Sequence, residues 1–168
     1  MLKGKGLFAL LTILFLAGCQ GSVEDQLKGS KSILEEPSTI EVAAPNESTE
    51  GLSFHLPSNV KIIETSPSNI ILEGNNQTYI VFFNPFEDEF SKSLYEEEKS
   101  RRENVTLSTV KETDEGYYYS FIDSIEDDRY RIIIGRGGVK VTTESSGDTI
   151  LSSVKTMVTM LRSSDVSK

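Results

Sequence analysis

The 168-residue chain has one cysteine, one histidine and no tryptophan. One cysteine excludes an intrachain disulfide and a multi-Cys metal site, so the fold must rest on an ordinary hydrophobic core. The lone histidine, His55, sits in Phe54-His55-Leu56-Pro57 on an expected strand. One imidazole cannot build a His-rich metal centre, and a structural or surface role is its ordinary use. The H-E-x-x-H, G-x-S-x-G and P-loop patterns are all missing. Gly135-Arg136-Gly137-Gly138 lacks the Lys-Ser/Thr of a phosphate loop and reads as a turn. No metal and no cofactor is expected. Basic residues are scarce, 17 against 26 acids, and a net charge of -9 repels nucleic acid and anionic headgroups. A long hydrophobic run is also missing. The thirteen residues Gly6–Gly18 fall short of the ~20 needed to span hydrocarbon.

What that short run does have is context. Lys3 and Lys5 precede it, and Leu16-Ala17-Gly18-Cys19 ends it. A basic start, an apolar core and a small-residue exit make a secretory signal. The last four residues resemble the lipobox of bacterial prelipoproteins at every position. The resemblance implies a diacylglyceryl group on the Cys19 sulfur and cleavage between Gly18 and Cys19. Two acyl chains hold a protein stably at a bilayer. The expected location is therefore the extracytoplasmic side of the cell membrane, with the membrane as partner through Cys19. Losing Lys3 and Lys5 with residues 1–18 takes the formal charge from -9 to -11.

Residues 19–50 read as the lipidated Cys and a flexible acidic tether. From 20 to 50 there are seven acids, two lysines, two prolines and no aromatic residue, the composition of a solvated segment. A flexible chain of ~30 residues has an r.m.s. reach of ~30 Å, enough to hold a body off the headgroups.

Residues 51–168 read as one α+β domain. Val60–Ile63, Ile70–Leu72 and Tyr79–Phe83 are β-rich runs separated by Pro67-Ser68-Asn69 and Gly74-Asn75-Asn76, which predicts antiparallel hairpins. Residues 87–103 predict a helix with Phe90, Leu94 and Tyr95 on its apolar side and wet acids, including Glu96-Glu97-Glu98, elsewhere. Tyr117–Ile125 and Arg129–Gly135 predict two strands around Asp127-Asp128. Pairing Glu126 with Arg129 places Tyr117, Tyr119 and Phe121 on one face with Ile132 and Ile134. It places Tyr118 on the opposite, polar face with Arg129 and Arg131. A Gly137-Gly138 turn sets Val141 opposite Ile134 and Thr143 opposite Ile132. Asp148 is the expected N-cap of a final helix. Its stripe Ile150, Val154, Met157, Val158 and Leu161 should cover the sheet's single apolar face. An antiparallel sheet with two helices on one face is the resulting architecture.

This element order resembles Mog1/PsbP-like domains of small bacterial lipoproteins. The resemblance implies a binding or assembly role, and no site residue carries over from it. Tyr118, exposed on the polar face and near Arg129 and Arg131 only along the strand, forms with them the candidate ligand surface. Asp123, Glu126, Asp127 and Asp128 crowd one turn, where a solvated tip competes with a Ca²⁺ site. The expected function is a non-catalytic domain binding a protein or cell-envelope component. The alternative is an envelope enzyme such as a carboxylate-dependent wall hydrolase, which would need a pocket of convergent, pKa-shifted acids.

Overall fold

The computed structural model describes residues 21–166. The leader and the Leu16–Cys19 motif lie outside the described residues. Helix α1 (Val23–Glu35) comes first. Ser22 and Asp25 form a capping box: Ser22 Oγ accepts from the Asp25 amide, and Asp25 Oδ2 accepts from the Ser22 amide, each at 3.2 Å. Ile33 and Leu34 are buried in the main core, with Val23 and Leu27 packed beside them. The expected flexible tether over 19–50 is therefore corrected for 23–39, where α1 runs into a short 3₁₀ turn at Pro37–Thr39, and for 47–49, which pair as a strand with 52–54. The inward stripe of α1 is Val23, Leu27, Ser30 and Leu34. The buried serine interrupts its apolar period and hides the helix in a polar composition.

The remaining elements are β1 (Glu47–Thr49), β2 (Leu52–Phe54), β3 (Val60–Ser66), β4 (Asn69–Gly74), β5 (Gln77–Phe83), α2 (Ser93–Ser100), β6 (Leu107–Thr113), β7 (Gly116–Glu126), β8 (Arg129–Arg136), β9 (Val139–Ser146), α3 (Ile150–Ser163) and β10 (Asp165–Val166). They make an α+β fold of two antiparallel sheets. The large one has the order β3-β4-β5-β9-β8-β7-β6, and β1-β2-β10 forms the small one. The β3–β4–β5 meander turns at Pro67-Ser68 and Asn75-Asn76, as its punctuation requires. Both asparagines take positive φ, 53° and 58°, which Asn tolerates better than most residues. The β8–β9 register is the expected one, with Ile134 opposite Val141 and Ile132 opposite Thr143.

The β7–β8 register is not. Glu126 does face Arg129, but a bulge at Ile125 moves the next pairs to Ser124–Tyr130, Ile122–Ile132 and Phe121–Ile133. One extra residue inverts the faces of the rest of β7. Tyr117, Tyr119 and Phe121 join Ile133 on one face, whereas Ile122 joins Ile132 and Ile134 on the other. Both faces are apolar, and each has its own helix cover. Helices α1 and α3 pack over the Ile132/Ile134 face. The α2 residues Leu94 and Tyr95 pack over Tyr117, Tyr119, Phe121 and Ile133. The expectation of both domain helices on one face is thus replaced by helices on opposite faces.

Two helix boundaries also change. Helix α2 starts at Ser93, and Phe90 lies before it, 43% exposed. Residues 87–92 instead bind the end of the sheet: the Tyr117 amide donates to Glu89 O at 2.8 Å and the Gly138 amide to Asp88 O at 3.0 Å. A Cβ on Gly137, which sits at φ 52°, would meet Asp88 O at 2.1 Å, so this close approach requires glycine. Asp148 does not cap α3. It lies in a 3₁₀ turn, Oδ1 accepting from Ser146 Oγ, and Thr149 holds the N-cap position.

Candidate functional site

The bulge decides the fate of Tyr118. The residue is buried, 3% exposed, so the expected exposed platform is corrected. Its hydroxyl donates to Glu115 Oε2 at 3.1 Å. Arg162 Nε donates to the same oxygen at 2.9 Å, and its Nη2 to Oε1. Arg162 Nη1 also reaches the carbonyls of Ser38, at 3.3 Å, and Ile40. Arg136 donates to Arg162 O at 3.1 Å and Ser164 O at 2.5 Å. The hydrogen bonds from Arg162 hold the Glu115 carboxyl below the usual range against the opposing effect of burial. Burial pushes the Tyr118 hydroxyl up. This network staples the chain after α1 to the end of α3.

A second network fixes α2. Glu98, expected as wet helix surface, is 5% exposed. Its Oε1 meets Lys140 Nζ at 2.5 Å and its Oε2 meets Arg102 Nη1 at 2.6 Å. Arg102 Nε donates to Asp123 Oδ2 at 3.0 Å, and the guanidinium lies 5.0 Å from the Phe121 ring. Burial alone would raise the Glu98 pKa. The Lys140 and Arg102 contacts outweigh it and hold the carboxyl low. Two acids face two bases here, so the cluster is neutral and closed. It also draws Asp123 away from the acidic turn. Among the described residues, no three His, Cys, Asp or Glu side chains are grouped to hold a metal ion.

Arg129 and Arg131 do come together, on the part of the outer face that α2 leaves open. Both reach Glu144, Arg129 Nη2 to Oε2 at 2.5 Å and Arg131 Nη2 to Oε1 at 3.3 Å. All three side chains are roughly half exposed. Beside them runs a shallow groove of about 510 Å³ lined by Asn76, Thr78, Ile80 and Thr142. Ile80 is 44% exposed in mid-strand. Tyr118 pairs with Arg136, five residues along β8 from Arg131, or ~17 Å at strand rise. The nominated trio is therefore split. The groove's other members were within reach of sequence reasoning, because the β8–β9 register that pairs Ile134 with Val141 also sets Glu144 opposite Arg131. Thr78 and Ile80, on β5, needed the β5–β9 pairing, which no local signal announces.

His55 lies beside the small sheet, with Nδ1 3.0 Å from Ala44 O and its amide donating to Ser163 Oγ at 2.8 Å. These contacts are structural. No protein-family model matches the chain, and no curated protein matches it.

Proposed function

We propose that this chain is a lipid-anchored extracytoplasmic protein whose domain binds a protein or cell-envelope component through the groove between β5, β9 and β8. Anchoring rests on the lipobox resemblance at Leu16–Cys19. The observation that carries the binding role is the groove itself. It offers Arg129 and Arg131, both half-exposed and held on Glu144, beside exposed Thr78 and Ile80 and half-buried Thr142. Exposed apolar surface flanked by arginine is the composition of recognition surfaces. The groove is open and lies between strands without a helix lid, which suits a macromolecule or polymer more than a small substrate.

The carboxylates with resolved shifts, Glu36, Glu98 and Glu115, are all held low by cations or hydrogen bonds. A general acid needs the opposite shift, so none of these three is suited to that role. The resemblance to Mog1/PsbP-like domains points to a binding or assembly role as well.

The test is site-specific photo-crosslinking in intact cells. A photoreactive residue at Ile80 or Thr142 should give a discrete adduct after detergent extraction. The same residue at Ser152, on the exposed side of α3, should not. The adduct should weaken with Arg131→Glu. Equal yields at all three positions, or none, would exclude the groove.

A further inference from the structure

Helix α1 fixes which end of the domain can approach the lipid. Only residues 20–22 separate Cys19 from Val23. At ~3.6 Å per residue, the four Cα steps span at most ~14 Å. Val23 is not on a free arm. Its Cγ2 stands 2.7 Å from where a Gly147 Cβ would lie. Gln26 Oε1 accepts from the Leu151 amide at 3.0 Å, at the start of α3. Gly147 in turn donates to Asp128 O at 3.0 Å, in the β7–β8 turn. The α1 N-terminus, the α3 N-terminus and the β7–β8 turn therefore share one end. The β4–β5 turn at Asn75-Asn76 and the start of β3 lie at that end too, because β3, β4, β5, β9 and β8 pair in antiparallel order. At the other end lie the β6–β7 turn, Gly137-Gly138, and Ser38 bound by Arg162. Arg129 and Arg136, at the two ends of β8, stand ~24 Å apart at strand rise.

We propose that the end carrying Val23, Asp127-Asp128 and Ser58-Asn59 rests against the bilayer, and that the opposite end, with Asp114 and Asn69, points away from it. The inference rests on lipidation of Cys19 in the proposed function, and adds an orientation to it. A ~30 Å stand-off is replaced by a link about half as long, tied to a packed helix. Charge does not create this orientation, because Glu24, Asp25, Asp127 and Asp128 are exposed at the near end. The short chain imposes it. It also places the groove near the headgroups, since Arg131 is only two residues up β8 from Arg129. A partner that uses the groove would meet it at the membrane surface.

The full chain is expressed in a lipoprotein-processing bacterium, purified in detergent and reconstituted into phosphatidylcholine vesicles containing a nitroxide-headgroup lipid. Single fluorophores are placed through Asp127→Cys or Ser58→Cys at the near end, and through Asp114→Cys or Asn69→Cys at the far end. Acylated Cys19 takes no label. Nitroxide quenching should be several-fold stronger at the near pair. A flexible Gly-Ser insertion of ~12 residues before Ser22 should erase the difference by lengthening the link. Equal or reversed quenching in vesicle-bound protein would overturn the orientation and leave the anchor standing. Failure of the chain to float with vesicles, matched by Cys19→Ala, would overturn the anchor and the orientation with it.

Discussion

Tyr119 occupies the space where a side chain on Gly135 would stand. The two residues face each other across β7 and β8, and a Cβ on Gly135 would lie 2.2 Å from Tyr119 Cζ and 2.4 Å from its Oη. Tyr119 is 1% exposed, and burial drives its hydroxyl pKa well above the ordinary value. The ring has nowhere to go, because Tyr95 lies 5.8 Å from it and Phe121 6.3 Å, centroid to centroid.

Gly135→Ala should therefore overpack the cluster under α2 and cost ~1–3 kcal/mol. At ~4 °C per kcal/mol, thermal unfolding should show a clear loss. Adding Tyr119→Leu should recover part of it. Strict additivity of the two changes would show that the ring and the glycine are not coupled.

Most of the strands were legible in the sequence because hairpin chemistry is local. Pro67-Ser68, Asn75-Asn76 and Gly137-Gly138 each mark a two-residue turn, and the pairings around them follow. The β7–β8 faces were not legible, because a single bulged residue, Ile125, reverses every side chain beyond it. Tyr118 changed from ligand platform to buried donor for that reason alone. Helix α1 is hidden in the sequence because Ser30 sits in its buried stripe and its cover, α3, is more than a hundred residues away. In the groove, Arg131 and Glu144 follow from one hairpin register. Ile80 depends on the pairing of strands far apart in the chain.

Removal of α1 gives the next prediction. From composition, residues 51–168 should fold as well as 20–168. The structure predicts otherwise, since Ile33 and Leu34 are buried against the core. Full burial of each such side chain contributes ~1.5–3 kcal/mol, a substantial part of the ~5–15 kcal/mol that holds a domain together. Fragment 51–168 should unfold at a markedly lower urea concentration than 20–168. Equal midpoints would mean that α1 adds no stability.

Neighbouring isoleucines test the two-sided sheet. With one apolar face, Ile134→Ala would be costly and Ile133→Ala cheap. Both residues are buried, 1% and 3% exposed, Ile134 in the core shared with α3 and Ile133 in the cluster shared with α2. Each truncation should cost ~2–5 kcal/mol. Denaturant unfolding of the two variants checks this. A near-neutral Ile133→Ala would mean that α2 does not cover its face.

Lipidation carries the proposed location. Cys19→Ala should abolish incorporation of a fatty-acid probe and leave the leader uncleaved at Gly18. Gel shift and probe fluorescence report both. Equal labelling of variant and parent would refute the lipobox reading.

The clamp at Glu98 makes stability depend on pH in a defined direction. Lys140 and Arg102 hold its carboxyl below the ordinary value of 4.5 despite burial. A native pKa below the unfolded one means that the folded state binds fewer protons through this group. Its contribution is then complete above the ordinary glutamate range and is lost as pH falls through the depressed native value. Glu98→Gln keeps the side chain's shape but leaves Arg102 and Lys140 without their shared anion. Breaking a buried pair costs ~3–5 kcal/mol, and the partial exposure of both cations, 12% and 17%, puts this case toward the lower end. At pH 7 the variant should melt well below the parent. As pH falls from 4.5 through the depressed native value the two melting temperatures should converge, because the folded parent's Glu98 is then protonated too. Glu115, held low by Arg162, adds a parallel acid-sensitive contribution that Glu98→Gln leaves in place. A constant gap between the two proteins from pH 7 down to strongly acidic pH would show that the Glu98 charge does not hold α2 on the sheet.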